Sequence, residues 1–432
     1  KDKVKPVINV GIIGFGVVGC GVYDIFQRNA RAIELRVGSK LVVKRVADTD
    51  PDRPRPIEFD RSILTTNPEE IINDPEIDIV AELIGGVDPA QDYIMAAIRN
   101  GKHVVTANKE LLAKSGHSLL VEAGERKQDF YFETSVGGGI PIINPMKTSL
   151  AGNHIREIKG IVNGTTNYIL TRMAEEEKDF EEVLTEAQAL GYAERDPTND
   201  VDGHDAAYKI AILASIGFMS RVDVSEVYRE GIRNITQKDI AYAKELGYKI
   251  KLLAIAKEID GQMQVRVHPA MIPVNHPLAS VSHVYNAIYI NADPVGNLMF
   301  YGRGAGAEAA GSAVVGDIID VARNINTGST GRISCTCFEE KVLQSMDEVQ
   351  CKHYIRMKTT DKPGVLSAIS TVFGANNVSI TAVLAKSTGE PGSAESIWVT
   401  HTAPEPSVRL SLEAISALPV VTEVSNWIRV EE

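Results

Sequence analysis

Over the first 133 residues, apolar-rich runs alternate with stretches in which apolar positions recur every three or four residues. The runs, at 7–13, 40–47, 77–83, 102–106 and 130–133, have the character of strands covered on both faces. Helical spacing separates them, through Val22, Ile25 and Phe26, then over 89–100 and 111–127. Such alternation predicts parallel crossovers, hence a doubly wound α/β sheet. Beyond it, strands are expected at 155–163, 251–259, 265–273 and 287–292, and helices at 145–151, at 180–190 and from about His204. The small residues of 309–322 predict a helix that returns to the first sheet and packs closely there, and 323–350 reads as a linker. A last unit opens near Cys351: strand 354–359, a helix ending at Ala375, strands 380–385 and 394–401, helix 407–417 and strand 420–429. That βαββαβ order predicts a small antiparallel sheet with both helices on one face.

At 432 residues and 44% hydrophobic content, the chain has material for two or three domains. A net charge of −12 argues against a nucleic-acid partner, which is held mainly by Lys and Arg on phosphates. No run approaches the roughly 18 apolar residues of a membrane span. The N-terminus runs directly into a strand, so a cytoplasmic protein is expected. Cys335 and Cys337 form C-x-C, not the C-x-x-C of redox or zinc motifs, and with Cys20 and Cys351 they read as reduced thiols.

The first strand leads into Gly14-Phe15-Gly16-Val17-Val18-Gly19, and a helical pattern follows. In that setting each glycine of G-x-G-x-x-G has a task. Gly14 makes the tight turn, Gly16 lets a pyrophosphate approach the backbone, and Gly19 lets helix and strand pack closely. The anion would rest on the helix N-terminus. Asp48 ends the second strand, where an acid bonds ribose hydroxyls and opposes a 2′-phosphate. Basic Lys44, Arg45 and Arg53 nearby leave NAD and NADP both open. Asn108 and Lys109 fall beyond the carboxyl end of another strand, the ligand side of such sheets. A cation is disfavoured at a helix start, which favours a ligand-facing Lys109. The glycine loop 137–139 offers backbone to a substrate or to a cation. Thr165 and Thr166, at a strand–helix junction, read as helix caps or as ligand contacts.

Residues 191–209, GYAERDPTNDVDGHDAAYK, carry the densest chemistry. Gly191 suits the left-handed turn that closes the preceding helix. Glu194, Asp196, Asp200, Asp202 and Asp205 follow, with Asp205 and Lys209 one helical turn apart. On a surface this spacing gives an ordinary ion pair. The small apolar flanks and the surplus of carboxylates point instead to a lysine held against an acid in a partly dry cleft, a candidate proton donor.

Taken in order, GFGVVG (14–19), ELIGG (82–86), VVTANK (104–109), ETSVGGGIPII (133–143), NGTTNYIL (163–170) and the 191–209 stretch resemble the motifs of homoserine dehydrogenases. DKPGVLSAIS (361–370) resembles an ACT regulatory domain. The resemblance implies a Rossmann-type NAD(P)-binding domain at 1–145 completed by about 303–340, a catalytic and dimerisation domain at 146–302, a linker at 341–351 and an ACT domain at 352–432. It implies reversible NAD(P)H-dependent reduction of L-aspartate 4-semialdehyde to L-homoserine. Lys209 would give the proton, Asp205 would hold that lysine, and Lys109 would stand where cofactor and substrate meet. Glu194 would bind the substrate ammonium group, with Gly191, Tyr192, Thr165 and Asp200 also about the substrate. Gly14, Phe15, Gly16, Val17, Val18, Gly19, Asp48, Thr106 and Gly304 would surround the NAD or NADP. Glu133, Val136, Gly138 and Ile140 would hold Na+ or K+, mostly through backbone oxygen. For the ACT domain it implies an amino-acid effector, L-threonine first, facing Asn376 and Asn377, and pairing between chains in at least a dimer. Arg195 stands where the family commonly has proline, which puts a charge beside the substrate loop. The alternatives are a related amino-acid dehydrogenase, such as an aspartate dehydrogenase, and a catalytically silent amino-acid sensor. The 191–209 stretch, with Lys109, Glu194, Asp205 and Lys209 intact, opposes both.

Overall fold

A computed structural model describes residues 4–333 and 335–432. The chain sorts into two compact units, the first made of residues up to 158 with 208–226 and 285–341, the second of 159–207, 227–284 and 342–432. Segment 146–302, expected as one domain, therefore contributes to both, and 352–432 shares its unit with parts of that segment.

In the first unit the apolar runs become a six-stranded sheet. Its order is Leu64–Thr65, Lys40–Ala47, Val7–Ile13, Ile79–Glu82, His103–Thr106 and Phe130–Tyr131, with every neighbour parallel. The order reverses at Val7–Ile13, the doubly wound arrangement that leaves a crevice at the strands' carboxyl ends. Helix Ala307–Thr327 packs on helix Val17–Arg28 at backbone distance: a Cβ on Gly21 would lie 2.2 Å from the Ala307 carbonyl oxygen. Ile8, Val10, Ile12, Val22, Val314 and Ile318 share the core beneath. Burying each such side chain stabilises by about 1.5–3 kcal/mol.

Of the element boundaries that differ from the sequence reading, three have a clear local reason. The linker expected from 323 begins after Thr327, because Asn324 is still inside, its amide donating to Asp129 Oδ2 at 3.0 Å and to the Tyr131 hydroxyl at 3.2 Å. Left-handed Gly328 then ends the helix. The strand expected at 130–133 stops at Tyr131, and the helix expected at 145–151 is Ile143–Lys147. Glu133 causes both changes. Its carboxylate accepts the N–H groups of Ile142, Ile143 and Asn144, the last two at 2.7 Å, fixing the helix start early and bending Glu133–Ser135 into a 3-10 turn.

In the second unit, Tyr248–Ile259 and Gln262–Pro273 form an antiparallel hairpin. The C-terminal βαββαβ order appears as expected, over Gln350–Thr360, Val365–Ala375, Ile380–Ser387, Ser393–Thr400, Glu405–Ser416 and Val421–Val430. Its sheet is not self-contained. Val421–Val430 pairs in parallel with Gln262–Pro273, through Ala270 with Arg429 and Met271 with Val430, so an edge that would otherwise invite pairing is covered. Helix Gln237–Glu245 is bound to the same sheet. Asp239 takes the Arg356 guanidinium at 2.8 Å, and the Tyr242 hydroxyl donates to Glu395 at 2.5 Å. Removing one partner of so buried an ion pair costs about 3–5 kcal/mol. Among the described residues, no helix is long and apolar enough to cross a membrane.

Candidate active site

The glycine turn after the first strand is built for close approach. Gly14 has φ +103, and a Cβ there would lie 2.7 Å from the Leu83 backbone. One on Gly19 would lie 2.2 Å from the Gly14 oxygen, whereas one on Gly16 would meet only an Arg53 nitrogen at 3.5 Å. Two glycines therefore serve packing, and the middle one leaves the open path to the N-terminus of helix Val17–Arg28. Val17 is exposed there and Val18 half-buried. The Phe15 ring is fully buried, edge-on to Tyr23 and Phe59, so a cofactor can meet Phe15 only through its backbone.

Asp48 is not the bare acid that the sequence suggested. Its Oδ2 pairs with Arg55 at 3.0 Å, and its Oδ1 accepts the Asp50 N–H at 3.0 Å. Burial alone would raise its pKa, but the Asp50 amide, Arg55 and Arg53 outweigh burial and hold it below the usual carboxylate value. Arg55, which sequence reading missed, lies over the rings of Phe15 and Phe59 and donates to the Phe15 and Asp50 carbonyls. Lys44 and Arg45 play no part here: Lys44 pairs with Asp74 and Glu76, and Arg45 with Glu70. Arg53, half exposed, is the basic side chain of the original three that stays near the turn.

At the ends of the next two strands the acid is treated differently. Glu82 is fully buried and accepts the Thr106 hydroxyl at 2.6 Å and the Ile84 and Gly85 N–H groups at 2.9 and 3.3 Å. Burial dominates these neutral donors and raises its pKa. The Thr106 side chain is thus an internal brace, and a cofactor contact at Thr106 falls to its backbone. Asn108 continues the brace, its amide donating to the Gly86 carbonyl at 2.6 Å while its oxygen caps helix Lys109–Glu125. Lys109, half-buried, is the first residue of that helix.

The glycine loop lies against 302–309. Gly138 has φ +57, and a Cβ there would sit 2.3 Å from the Gly304 oxygen, while the Gly139 N–H donates to the Arg303 carbonyl at 3.2 Å. Gly304 itself packs on Asn286, whose amide nitrogen and oxygen are both buried without a partner. Val136 and Ile140 are buried beside the loop. The Glu133 carboxylate accepts three N–H groups, two on Oε1 and one on Oε2, which ties its side chain to the turn at 142–144. Asp317 accepts the Glu133 N–H at 2.8 Å, and burial, with Glu133 alongside, pushes it up to about 8.

In the second unit two of the acids expected about the substrate, Asp200 and Asp205, are held by a residue the sequence reading left unassigned. Asn163, not Thr165 or Thr166, caps helix Gly164–Glu176, its oxygen accepting the Thr166 N–H at 2.9 Å. The amide nitrogen then faces the other way and donates to Asp200 Oδ1 at 2.7 Å and Asp205 Oδ2 at 2.9 Å. An asparagine just before an apolar helical run is an N-cap signature, and that was the available signal. The Thr165 hydroxyl donates to the Tyr192 carbonyl at 2.7 Å. Gly191, at φ +77, closes helix Phe180–Ala189 as expected, with the Tyr192 N–H returning to the Ala187 carbonyl at 2.8 Å. Glu194 and Arg195 are exposed, their carbonyls accepting from the Gln188 amide. Helix His204–Gly217 carries Asp205, 3% exposed, and one turn on Lys209, 7% exposed. Neither is a solvated surface charge.

One further set has metal-like spacing: buried Cys351, His353 and Glu405. The Trp427 indole donates to His353 Nδ1 at 2.9 Å, so Nε2 carries the proton and the ring has no lone pair for an ion. Glu405 is committed to Arg429. Burial, then Arg429, holds His353 down at about 3. In the C-terminal unit's turn, the Asn376 amide donates to the Val372 carbonyl at 3.0 Å and Asn377 takes a left-handed φ of 59°. Both do the work of turn residues.

Known proteins place this arrangement. The family profile of homoserine dehydrogenase matches residues 141–319, that of the homoserine dehydrogenase NAD-binding domain matches 14–133, and that of the ACT domain matches 353–420. The homoserine dehydrogenase of Synechocystis is 45% identical over 98% of this chain and 99% of its own. The crystal structure of a homoserine dehydrogenase from Thiobacillus denitrificans superposes with a TM-score of 0.92 at 39% identity, over 99% of this chain and 98% of that one. A hyperthermophilic archaeal homoserine dehydrogenase in complex with NADPH matches 73% of this chain and 97% of its own, with a TM-score of 0.62 at 28% identity. The chain belongs to the homoserine dehydrogenase family, oxidoreductases with a nicotinamide-nucleotide domain and here a C-terminal ACT domain.

Proposed function

We propose that Lys209 is the proton donor in reduction of L-aspartate 4-semialdehyde to L-homoserine. The observation that carries this is a buried lysine one helical turn after Asp205, an acid fixed together with Asp200 by the Asn163 amide. Bound NAD(P)H supplies the hydride. As the aldehyde oxygen gains negative charge, the Lys209 ammonium stabilises it and then gives up a proton. Asp205 keeps the lysine placed, and Lys109 stands at the nicotinamide end of the substrate. Glu194 binds the substrate ammonium group, with Gly191, Tyr192, Thr165 and Asp200 shaping the loop around it.

The open path over Gly16 suits the pyrophosphate. Asp48 keeps a carboxylate for ribose hydroxyls, and Arg53 beside it favours a 2′-phosphate, so NADP is accepted as well as NAD. A monovalent cation fits the glycine loop. The backbone oxygens of Glu133, Val136, Gly138 and Ile140 are uncharged, and orphaned Asn286 beside Gly304 offers one more neutral oxygen. In the ACT domain we assign regulation to a small amino acid, L-threonine, at the Asn376–Asn377 turn, in a cytoplasmic enzyme of at least two chains.

The test follows absorbance at the nicotinamide band as L-homoserine is offered with NAD, then NADP, with and without L-threonine. Turnover with both cofactors, slowed by threonine, is expected. A folded protein that turns over neither would return the reading to a related amino-acid dehydrogenase or a silent sensor.

A further inference from the structure

Helices Gly164–Glu176 and Gln237–Glu245 and the strand Tyr248–Ile259 enclose a cleft of about 310 Å³ within the second unit. Its apolar wall includes Leu170, Ala174, Ile240 and Ala241. One polar group in it is unusual. Lys251 is 4% exposed, and its ammonium is held by two neutral oxygens, Asn167 Oδ1 at 3.1 Å and the Val281 carbonyl at 2.5 Å. Among the described residues, no carboxylate is bonded to it. Burial, then repulsion by Lys249, pulls it down to about 7, with Glu175 a weaker counterweight. The remaining charged groups of the wall are Lys244 and Lys249 against Glu175 and Glu177, so cations outnumber acids.

We propose that this cleft binds a small carboxylic acid with an apolar tail, its carboxylate on Lys251 and its tail on the wall of Leu170, Ala174, Ile240 and Ala241. The site is distinct from the substrate loop and from the Asn376–Asn377 turn, and it is placed to regulate. Helix Gln237–Glu245 turns Gln237 and Ala241 to the cleft and Asp239 and Tyr242 to the ACT sheet. The opposite helix begins at Asn163, which holds Asp200 and Asp205. Asn167, which holds Lys251, sits one turn from that cap, its N–H on the Asn163 carbonyl at 3.3 Å. A ligand on Lys251 thus acts on the helix that positions the substrate-loop acids.

Calorimetry on the full chain with L-threonine, L-serine, butyrate and butylamine, each to about 10 mM, tests this without reference to turnover. Butyrate should bind, the amino acids more weakly at this cleft, and butylamine not at all. Lys251→Met and the cleft-blocking Ala241→Trp should each weaken butyrate binding about tenfold or more, as loss of a charge-assisted hydrogen bond predicts, while Asn377→Ala, which touches only the ACT turn, should leave butyrate binding unchanged. Unliganded turnover of Ala241→Trp reports that it is folded. The proposal is overturned if no probe binds, if both cleft variants bind as the parent does, or if Asn377→Ala alone abolishes binding.

Discussion

Lys209 and Lys251 are both buried, 7% and 4% exposed, yet their surroundings differ. Lys209 follows Asp205 by one turn of the same helix, in a stretch whose acids are fixed by Asn163. Lys251 faces an amide oxygen and a peptide oxygen, and its pKa falls to about 7. A proton donor to an alkoxide must be charged when the hydride arrives, which an acid nearby favours. A lysine among neutral oxygens sheds its charge near neutral pH and gains it back when an anion binds. Burial alone therefore does not separate the two lysines; the acid one turn before Lys209 does.

The largest test of this contrast is Lys209→Ala. Turnover should fall by about 10²–10⁴, the usual contribution of a positioned proton donor, while cofactor binding read by nicotinamide fluorescence stays near that of the parent. Equal loss of both would make Lys209 a structural residue and erase the distinction from Lys251. A smaller effect is expected from Asn163→Ala, which removes a helix cap and frees Asp200 and Asp205 together. Its denaturation midpoint should reflect a loss of about 1 kcal/mol. The KM for L-homoserine should rise with the KM for the nicotinamide cofactor unchanged. A shift in the cofactor KM alone would detach the acids from the substrate side.

What the sequence showed and what it hid divide along range. The tight turn at Gly14, the turn at Gly191 and the one-turn spacing of Asp205 and Lys209 are local, and each was legible in spacing. The guanidinium on Asp48 was not. Arg55 reaches that acid by stacking on Phe15 and Phe59, residues with no periodic relation to it. Asn163 was half legible: its cap follows from its place before a helix, but its grip on Asp200 and Asp205 needs a loop about forty residues on to fold back. The pairing of Ala270 with Arg429 lies further still from any local signal, and it is why the C-terminal sheet continues into the hairpin before it. Lys251 read as one more polar position in a strand, because only the tertiary fold removes water from it.

The prediction that tests the contrast most directly is the pH dependence of Lys251→Met. The unfolded lysine titrates near its ordinary value of about 10.4, the folded one at about 7. Between those values the unfolded chain binds more protons, so this group makes stability rise with pH through that window and leaves it lowest below pH 7. Methionine cannot charge and lacks this dependence. Leaving Asn167 Oδ1 and the Val281 carbonyl without their donor costs about 1–3 kcal/mol, but that cost is the same at every pH. Denaturation midpoints of parent and variant at pH 6, 7.5 and 9 should therefore differ by an amount that changes steadily, the variant faring best relative to the parent at pH 6. A difference that stays flat would mean that the Lys251 charge is already balanced in the folded chain. The two lysines would then be electrostatically alike, and the cleft would have no standing demand for an anion.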